Sequence, residues 1–353
     1  MTLAAPIAWV GWDVGGAHLK AAAVDATGRA LAAIQVPCPL WRGLAELDLA
    51  LDVALAHLGT APSHAVTMTG ELVDAFANRA DGVRAIARHL GARFAAPIVF
   101  FAGRAGLVGA AAVAAHSADI ASANWLATAA WIARQRGDAL LVDVGSTTTD
   151  VVPVLGGSVA AAGYDDADRL AASELVYTGV TRTPVIALAP AAPLEGRWLP
   201  AMAEFFATAA DVYRLTGELD ERADQHPAAD GGEKTVAASS RRLARMFGKD
   251  VEDHPIGTWI AVAQALRDEQ LGRIVRACRQ VESRVPLPPE APLVAAGCGA
   301  FLVPEVAHRL GRATIPFEAL VERGDVEPEA IAQCAPALAT ALLALALSKA
   351  RSG

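Results

Sequence analysis

Two stretches of the sequence set a carboxylate at the end of an apolar run, with a turn of small residues directly after it. In residues 139–153, ALLVDVGSTTTDVVP, the run ends at Asp143. Gly145-Ser146-Thr147-Thr148-Thr149 then turn the chain, and Asp150 opens a β-branched return. Run, turn and return predict a β-hairpin with two carboxylates and several backbone N–H groups at its tip. Glycine permits the tight turn and a close backbone approach, hydroxyls add donors, and successive N–H groups form a cradle for an anion. A carboxylate beside such a cradle repels the ligand unless a divalent cation stands between them, which points to Mg²⁺.

Residues 7–20, IAWVGWDVGGAHLK, repeat the arrangement, with an apolar run to Asp13, a turn at Gly15-Gly16 and a return from His18. Lys20 would place a point charge on a phosphate oxygen. It is one of four lysines, with Lys234, Lys249 and Lys349. Residues 291–300, APLVAAGCGA, run from a predicted strand into Gly297-Cys298-Gly299 and then a helix. Glycines there let the backbone press against a flat ring or a phosphate, or simply make a tight turn. Two copies of one hairpin, one per half, are what a duplicated α/β domain needs to hold a phosphate chain between its lobes.

The elements that position these residues are bounded by composition. At 353 residues with 54 % hydrophobic residues, the chain can bury a large core and form two domains. Much of that hydrophobicity is alanine, which favours helix rather than a membrane span. The most apolar segment, residues 331–347, contains Gln333 and Pro336, and reads as a buried C-terminal helix. A net charge of −8 provides no basic footprint for nucleic acid. The one basic cluster, Arg241-Arg242-Leu243-Ala244-Arg245, reads as the solvated face of a helix. Cys38, Cys278, Cys298 and Cys334 form no C-x-x-C pair. Neither a disulfide framework nor a zinc site is indicated, which fits a reducing cytoplasm. The N-terminus shows no basic segment followed by an apolar core, so no signal peptide is expected.

Along the chain, residues 7–36 predict a three-stranded meander, residues 43–58 and 79–90 helices, and residues 64–69 and 97–102 strands. Residues 106–134 predict two alanine-rich helices broken near His116-Ser117. Residues 183–189 read as a strand and residues 200–215 as a helix. Residues 217–235, charged and poor in apolar residues, read as a mobile loop. Strands alternating with helices argue for α/β layers, and three strands before the first helix in each half argue for mixed sheets. The predicted domains are residues 1–136 and 137–353, with a helical insertion around 200–285.

These motifs together resemble the superfamily of actin, the actin-like heat-shock chaperones and the sugar kinases. Its first phosphate loop is similar to Asp13-Val14-Gly15-Gly16, its second to Asp143-Val144-Gly145-Ser146-Thr147-Thr148-Thr149-Asp150, and its adenosine loop to Gly297-Cys298-Gly299. The implied fold is two actin-like (RNase H-like) lobes, mixed sheets flanked by helices, with a ligand cleft between them. Residues 68–74 (MTGELVD), 121–127 (ASANWLA) and 175–183 (LVYTGVTRT) resemble more narrowly the hydantoinase/oxoprolinase-type branch. Within it they are similar to proteins of tetrahydromethanopterin-linked one-carbon metabolism, including the ether-forming synthases of methanofuran and methylofuran biosynthesis.

That resemblance implies a transferase joining a furan, which carries an aminomethyl group and a methyl diphosphate, to the phenol of tyrosine, tyramine or a γ-glutamyl derivative, with loss of diphosphate. It implies Asp13, Asp143 and Asp150 as Mg²⁺ ligands. Lys20 and the N–H groups of Gly15, Gly16, Gly145, Ser146, Thr147 and Thr148 fall on the diphosphate. Glu71, Asn124, Arg182, Gly297 and Gly299 fall on substrate or nucleotide. Glu71 is a candidate base for the phenol proton, and equally a carboxylate at a helix N-terminus. Arg182 suits a diphosphate, a γ-glutamyl carboxylate or a surface ion pair. Asn124-Trp125 suit a pocket where a ring stacks, or plain packing between lobes. ATP binding stays open, and with it a second reading as an ATP-dependent kinase or oxoprolinase-like hydrolase. A homodimer is as compatible with the residues as a monomer, and no membrane or nucleic-acid partner is expected.

Overall fold

The computed structural model describes residues 5–352. The chain opens with β1 (Trp9–Val14), β2 (His18–Val24) and β3 (Ala30–Pro37), continues with β4 (His64–Met68) and β5 (Ile98–Phe101), and reaches β6 (Leu107–Gly109). These form one six-stranded sheet in the order β3-β2-β1-β4-β5-β6. The meander is antiparallel, β4 and β5 add in parallel, and β6 returns antiparallel. Helices Leu44–Leu58 and Arg79–Arg93 make the connections into β4 and β5, as parallel pairing requires. The expected meander is thus present, and its register sets Lys20 opposite Asp13.

Farther on come β7 (Ala139–Val144), β8 (Thr149–Leu155), β9 (Ser158–Val159), β10 (Leu175–Val176), the hairpin β11 (Ala191–Leu194) and β12 (Arg197–Pro200), β13 (Leu293–Ala296) and β14 (Thr314–Pro316). The second large sheet has the order β10-β8-β7-β13-β14, with β9 on β8. The chain divides into two compact units. The first comprises Met1–Leu141, Val152–Arg169 and Ile315–Gly353, the second Val142–Val151 and Leu170–Thr314.

In the first unit, Trp12 is fully buried and its indole N–H donates to His64 Nδ1 at 3.1 Å. Burial pushes His64 down to about 4, so the ring stays neutral and accepts this bond. The terminal helix Ala335–Ser352 packs on β1, β2 and β4. Its place in the first unit differs from the sequence-based boundary, which put everything after residue 136 in the second lobe. Gly11 makes the contact: a Cβ there would lie 1.9 Å from the Ala337 carbonyl oxygen. Among the described residues no helix is long and apolar enough to cross a membrane.

Several elements depart from expectation. Instead of a first alanine-rich helix after Gly106, the chain forms edge strand β6, short turns and the helix Ser117–Ile120. The longer helix begins only at Asn124. The break falls at Ser122, whose φ of 51° is left-handed, and not near His116. The apolar run at 183–189 is a helical turn, Val185–Leu188; four apolar residues satisfy either period, and Pro184 at the N-cap lets them coil. Residues 191–200 form the unpredicted hairpin β11–β12. The helix expected from 200 starts at Ala209, where the Asp211 carboxylate accepts the Thr208 N–H at 3.0 Å.

Residues 217–235 are tied down within the second unit by two buried arginines. Arg214 pairs with Glu221 and Asp224, each at 2.7 Å. Arg242 pairs with Asp211 at 2.7 Å and with Asp230 at 3.1 Å. Arg242 is 1 % exposed, whereas Arg241 and Arg245 are exposed, so the solvated face holds for those two arginines and not for Arg242. Arg242→Ala leaves the buried Asp211 carboxylate with Arg214 at 3.7 Å as its remaining charge partner and will cost about 3 kcal/mol, measured as a lowered urea midpoint. A midpoint equal to that of the parent chain would reduce this network to a surface feature.

Candidate functional site

In the first unit, β1 and β2 meet at a four-residue turn in which the Gly15 N–H donates to the His18 carbonyl at 3.0 Å. A Cβ on Gly15 would lie 2.8 Å from that same oxygen, so the turn demands glycine. The neighbouring segment braces it: the Thr69 N–H donates to the Val14 carbonyl at 3.0 Å and the Leu40 N–H to the Gly16 carbonyl at 3.0 Å. Asp13 is the last residue but one of β1 and is 2 % exposed. Lys20 Nζ lies 3.8 Å from Asp13 Oδ2, and the Asn124 side-chain amide donates to the same oxygen at 3.5 Å. Asp13, Lys20 and Asn124, spread over 111 residues, are therefore one group.

Next to them is a buried acid. Glu71, 1 % exposed, accepts from the Ser122 hydroxyl at 2.9 Å through Oε1, while its buried Oε2 has no hydrogen-bond partner. Burial pushes the Glu71 carboxyl up to about 7, against lesser opposing pulls from its own backbone, the Ser122 bond and the Arg79 charge. Arg79 pairs with Asp166 at 2.7 Å, and Asp166 also comes within 3.5 Å of the Ser122 hydroxyl. Ser122 holds this position in a left-handed backbone conformation that costs a non-glycine residue about 1 kcal/mol or more. A strained serine clamping a buried, proton-binding carboxylate is a common pattern at functional sites. Sequence reasoning singled out Glu71 and the stretch containing Ser122, but it missed Arg79 and Asp166, because nothing local marks an ion pair 87 residues apart.

The second unit repeats the turn. The Gly145 N–H donates to the Thr148 carbonyl at 2.8 Å, so the first glycine N–H of each turn closes the turn and is withdrawn from any anion. The segment 178–183 wraps the outside. Val180 N–H donates to the Gly145 carbonyl at 3.0 Å, and Arg182 N–H to the Ser146 carbonyl at 2.9 Å. A trans peptide is planar, so holding those carbonyls inward turns the Ser146 and Thr147 N–H groups the opposite way. The Thr149 hydroxyl donates to the Thr178 carbonyl at 2.7 Å and the Gln270 amide to the Gly179 carbonyl at 3.0 Å. The exposed Arg182 side chain reaches Thr147 Oγ1 at 3.3 Å. A Cβ on Gly179 would lie 2.4 Å from Ser146 C and Thr147 N.

Asp143, 7 % exposed, ends the apolar part of β7, and Asp150 stands on β8 opposite Leu175. Gly297 and Gly299 cover the end of β7. A Cβ on Gly297 would lie 2.2 Å from the Val144 carbonyl oxygen and 2.4 Å from Asp143 Oδ1; one on Gly299 would lie 2.5 Å from Val144 Cγ1. The glycines are thus required by packing against the Asp143 strand, whether or not a nucleotide follows. Among the described residues no three His, Cys, Asp or Glu side chains gather as a metal-binding set.

The hydantoinase/oxoprolinase family model matches residues 63–341, which include both bracing segments, the Glu71–Ser122 pair and the whole second turn. The chain belongs to the hydantoinase/oxoprolinase family. Its membership bears out the branch expected from residues 68–74, 121–127 and 175–183. The chain is 30 % identical over 244 residues to (4-{4-[2-(gamma-L-glutamylamino)ethyl]phenoxymethyl}furan-2-yl)methanamine synthase of Methanocaldococcus jannaschii, covering 69 % of this chain and 72 % of that protein. It is 30 % identical over 112 residues to the synthase of the same name from Methanococcus vannielii, covering 32 % of this chain and 50 % of that protein. A nucleotide-free structure of acetone carboxylase aligns with a TM-score of 0.54 at 12 % identity, over 94 % of this chain and 70 % of that one. That last likeness shows the fold, and the expected actin-like α/β architecture holds for this family member.

Proposed function

We propose that this family member is an aryl-ether synthase of methanofuran- or methylofuran-type cofactor biosynthesis. It joins an (aminomethyl)furan-methyl diphosphate to the phenol oxygen of tyrosine, tyramine or a γ-glutamyl derivative. The observation that carries this reading is the similarity to the Methanocaldococcus jannaschii synthase over most of both chains; the name of that relative describes a phenoxymethyl link to a furan methanamine.

In the reaction, the bond between the furfuryl carbon and the diphosphate oxygen breaks, and its electron pair leaves on diphosphate. The phenol oxygen supplies a pair to the same carbon, and its proton passes to a base. The furan ring oxygen spreads the developing positive charge, so the protein's part is alignment and neutralisation of the leaving group. Mg²⁺ keeps several waters and takes phosphate oxygens with one or two carboxylates. Asp13 and Asp143 each lie near the end of an apolar strand directly before a glycine turn, a place where a carboxylate and phosphate oxygens can share such an ion. We assign Asp13 in the first unit, and Asp143 and Asp150 in the second, to Mg²⁺, directly or through its waters; when bound, Mg²⁺ would offset charge on the departing diphosphate. Lys20, Arg182 and the N–H groups of Gly16, Ser146 and Thr147 are assigned to diphosphate oxygens. Glu71 is assigned to the phenol proton.

Arg182→Ala will weaken diphosphate binding about tenfold, as expected for loss of one charge-assisted bond to an anion. Calorimetry with Mg²⁺ and diphosphate measures this. Affinity unchanged from that of the parent chain would place Arg182 outside the cradle. The reading as a whole is tested by incubating the protein and Mg²⁺ with furan-methyl diphosphate and each phenol in turn. The expected result is the ether, detected by mass, and diphosphate in equal amount. ATP hydrolysis stimulated by a small carbonyl or hydroxyl compound, with no ether, would instead favour the ATP-dependent kinase or hydrolase. The packing of Gly297 and Gly299 removes the need for adenosine to explain those glycines, so the first reading is preferred.

A further inference from the structure

Within the first unit, a cavity of about 280 Å³ opens among Arg104, Asp119, Trp125, Tyr164, Asp165 and Asp168. Two aromatic rings shape it: Trp125 and Tyr164 lie 6.1 Å apart between centroids, inclined at 45°. Each already carries a guanidinium on its ring, Arg169 at 3.9 Å from the Trp125 centroid and Arg104 at 4.3 Å from that of Tyr164. Those contacts hold the rings in place and use the negative potential of their faces.

The lining carries three carboxylates, Asp119, Asp165 and Asp168, and the guanidinium of Arg104, with Arg169 engaged on the Trp125 ring; Tyr164, Asp165 and Asp168 stand at the exposed side of the cavity. Asp119 is paired with His116 at 3.0 Å. Asp165 accepts the Asp168 N–H at 2.9 Å, and among the described residues neither Asp165 nor Asp168 forms an ion pair with another side chain. A small cavity with aromatic walls and unneutralised carboxylates takes a flat ring bearing an ammonium group, and repels phosphate. Its place in the unit is informative. Ala123 and Trp125 line the cavity, while Asn124 between them reaches Asp13 at 3.5 Å. The cavity and the first hairpin tip are therefore served by the same three residues.

We propose that this cavity seats the aminomethyl-bearing furan ring, its ammonium paired with Asp165 and Asp168 and its ring against Tyr164 and Trp125. The inference rests on the proposed ether synthesis for the identity of the ligand. It assigns the furan rather than the phenol because the methanamine in the name of the relative's product stands one carbon from its ring, the short reach that carboxylates beside aromatic walls fit, whereas the amine of tyramine stands two carbons from its ring. The carboxylates then fix the direction of the substrate, with the amine at Asp165 and Asp168 and the diphosphate away from them.

Calorimetric titration of the full chain with furfurylamine, tyramine and furfuryl alcohol tests this without any diphosphate or turnover. Furfurylamine is expected to bind at least ten times more tightly than the neutral alcohol. Asp165→Asn with Asp168→Asn, which keeps the capping amide, will abolish that preference. Tyr164→Leu will weaken both furans. Equal affinity for amine and alcohol, or a double variant that binds furfurylamine as the parent does, overturns the proposal. So does tyramine binding more tightly than furfurylamine. Should ether synthesis fail while amine binding and its loss are observed, the cavity stands and the reaction falls. An active double variant with an unchanged KM for the furan diphosphate sinks the cavity alone.

Discussion

Asp143→Asn will lower ether formation by about 10³-fold or more and leave the fold intact. A Cβ on Gly297 would lie 2.4 Å from Asp143 Oδ1, so the glycine keeps the place of that oxygen clear, and asparagine is the isostere of the aspartate. The substitution removes the negative charge assigned to Mg²⁺, and with it the ion that offsets charge on the departing diphosphate. Losing one preorganised electrostatic contact to a leaving group typically costs about 10²–10³ in rate, and losing the metal adds to that. The measurement pairs diphosphate release with a urea midpoint. A midpoint equal to that of the parent, together with lost release, is expected. Release at the parent rate would remove the metal role from Asp143. Lost release with a collapsed midpoint would mean only that the fold needs the Asp143 carboxylate, so Asp150→Asn, at the half-buried carboxylate on β8, is measured alongside.

Glu71→Gln will move activity and stability in opposite directions. As the proton acceptor, Glu71 works only in its ionised form, so the parent's kcat/KM should rise with pH up to about 7 and then level. The glutamine variant should lose about 10²–10³ in rate and show no such rise. For stability the sign runs the other way. The carboxyl titrates near 7 when folded, against a reference of 4.5, so between those values the folded state binds a proton that the unfolded state has lost. Its contribution is greatest below pH 4.5, falls as pH rises to 7, and is then flat, a change of about 3 kcal/mol. Glutamine cannot ionise, so the variant should gain stability relative to the parent across that window and keep the gain above it. Difference melting curves at pH 4, 6 and 8 measure this. A stability gain without any change in the activity profile would mark Glu71 as a buried structural acid and return the phenol proton to water.

Both hairpin tips were legible in the sequence because turn closure is short-ranged. The Gly15 and Gly145 bonds each span three residues, and the demand for glycine arises within those residues. The strands that deliver Asp13 and Asp143 are continuous apolar runs of β length, and the meander between residues 9 and 37 is punctuated by its own turn residues. The motif stretches were also visible, and their spacing has a physical cause. Residues 69–70 and 178–183 brace the two turns by backbone bonds, which fixes where small and hydroxylated residues must fall.

Where sequence reading failed, the deciding partner lay far along the chain. Nothing near Arg242 tells that Asp211 will meet it in the interior, so a buried ion pair reads as an exposed basic stripe and the segment it ties down reads as loose. The run at 183–189 is too short for its period to choose between strand and helix, and the carbonyls of its helical turn are taken by the distant Arg273 guanidinium. The terminal helix follows the second unit in sequence, yet its place on β1 is set by the absent side chain of Gly11.

The sequence alone determined how the two turns are built, because their glycine N–H bonds close within a few positions. Only the tertiary structure decided what those residues meet. It joined Ser122 to Glu71 across 51 residues and brought Tyr164 to Trp125. It also spent one glycine N–H of each turn on closure rather than on a ligand. Burial and charge pairing are sums over neighbours drawn from the whole chain, and no local pattern encodes them.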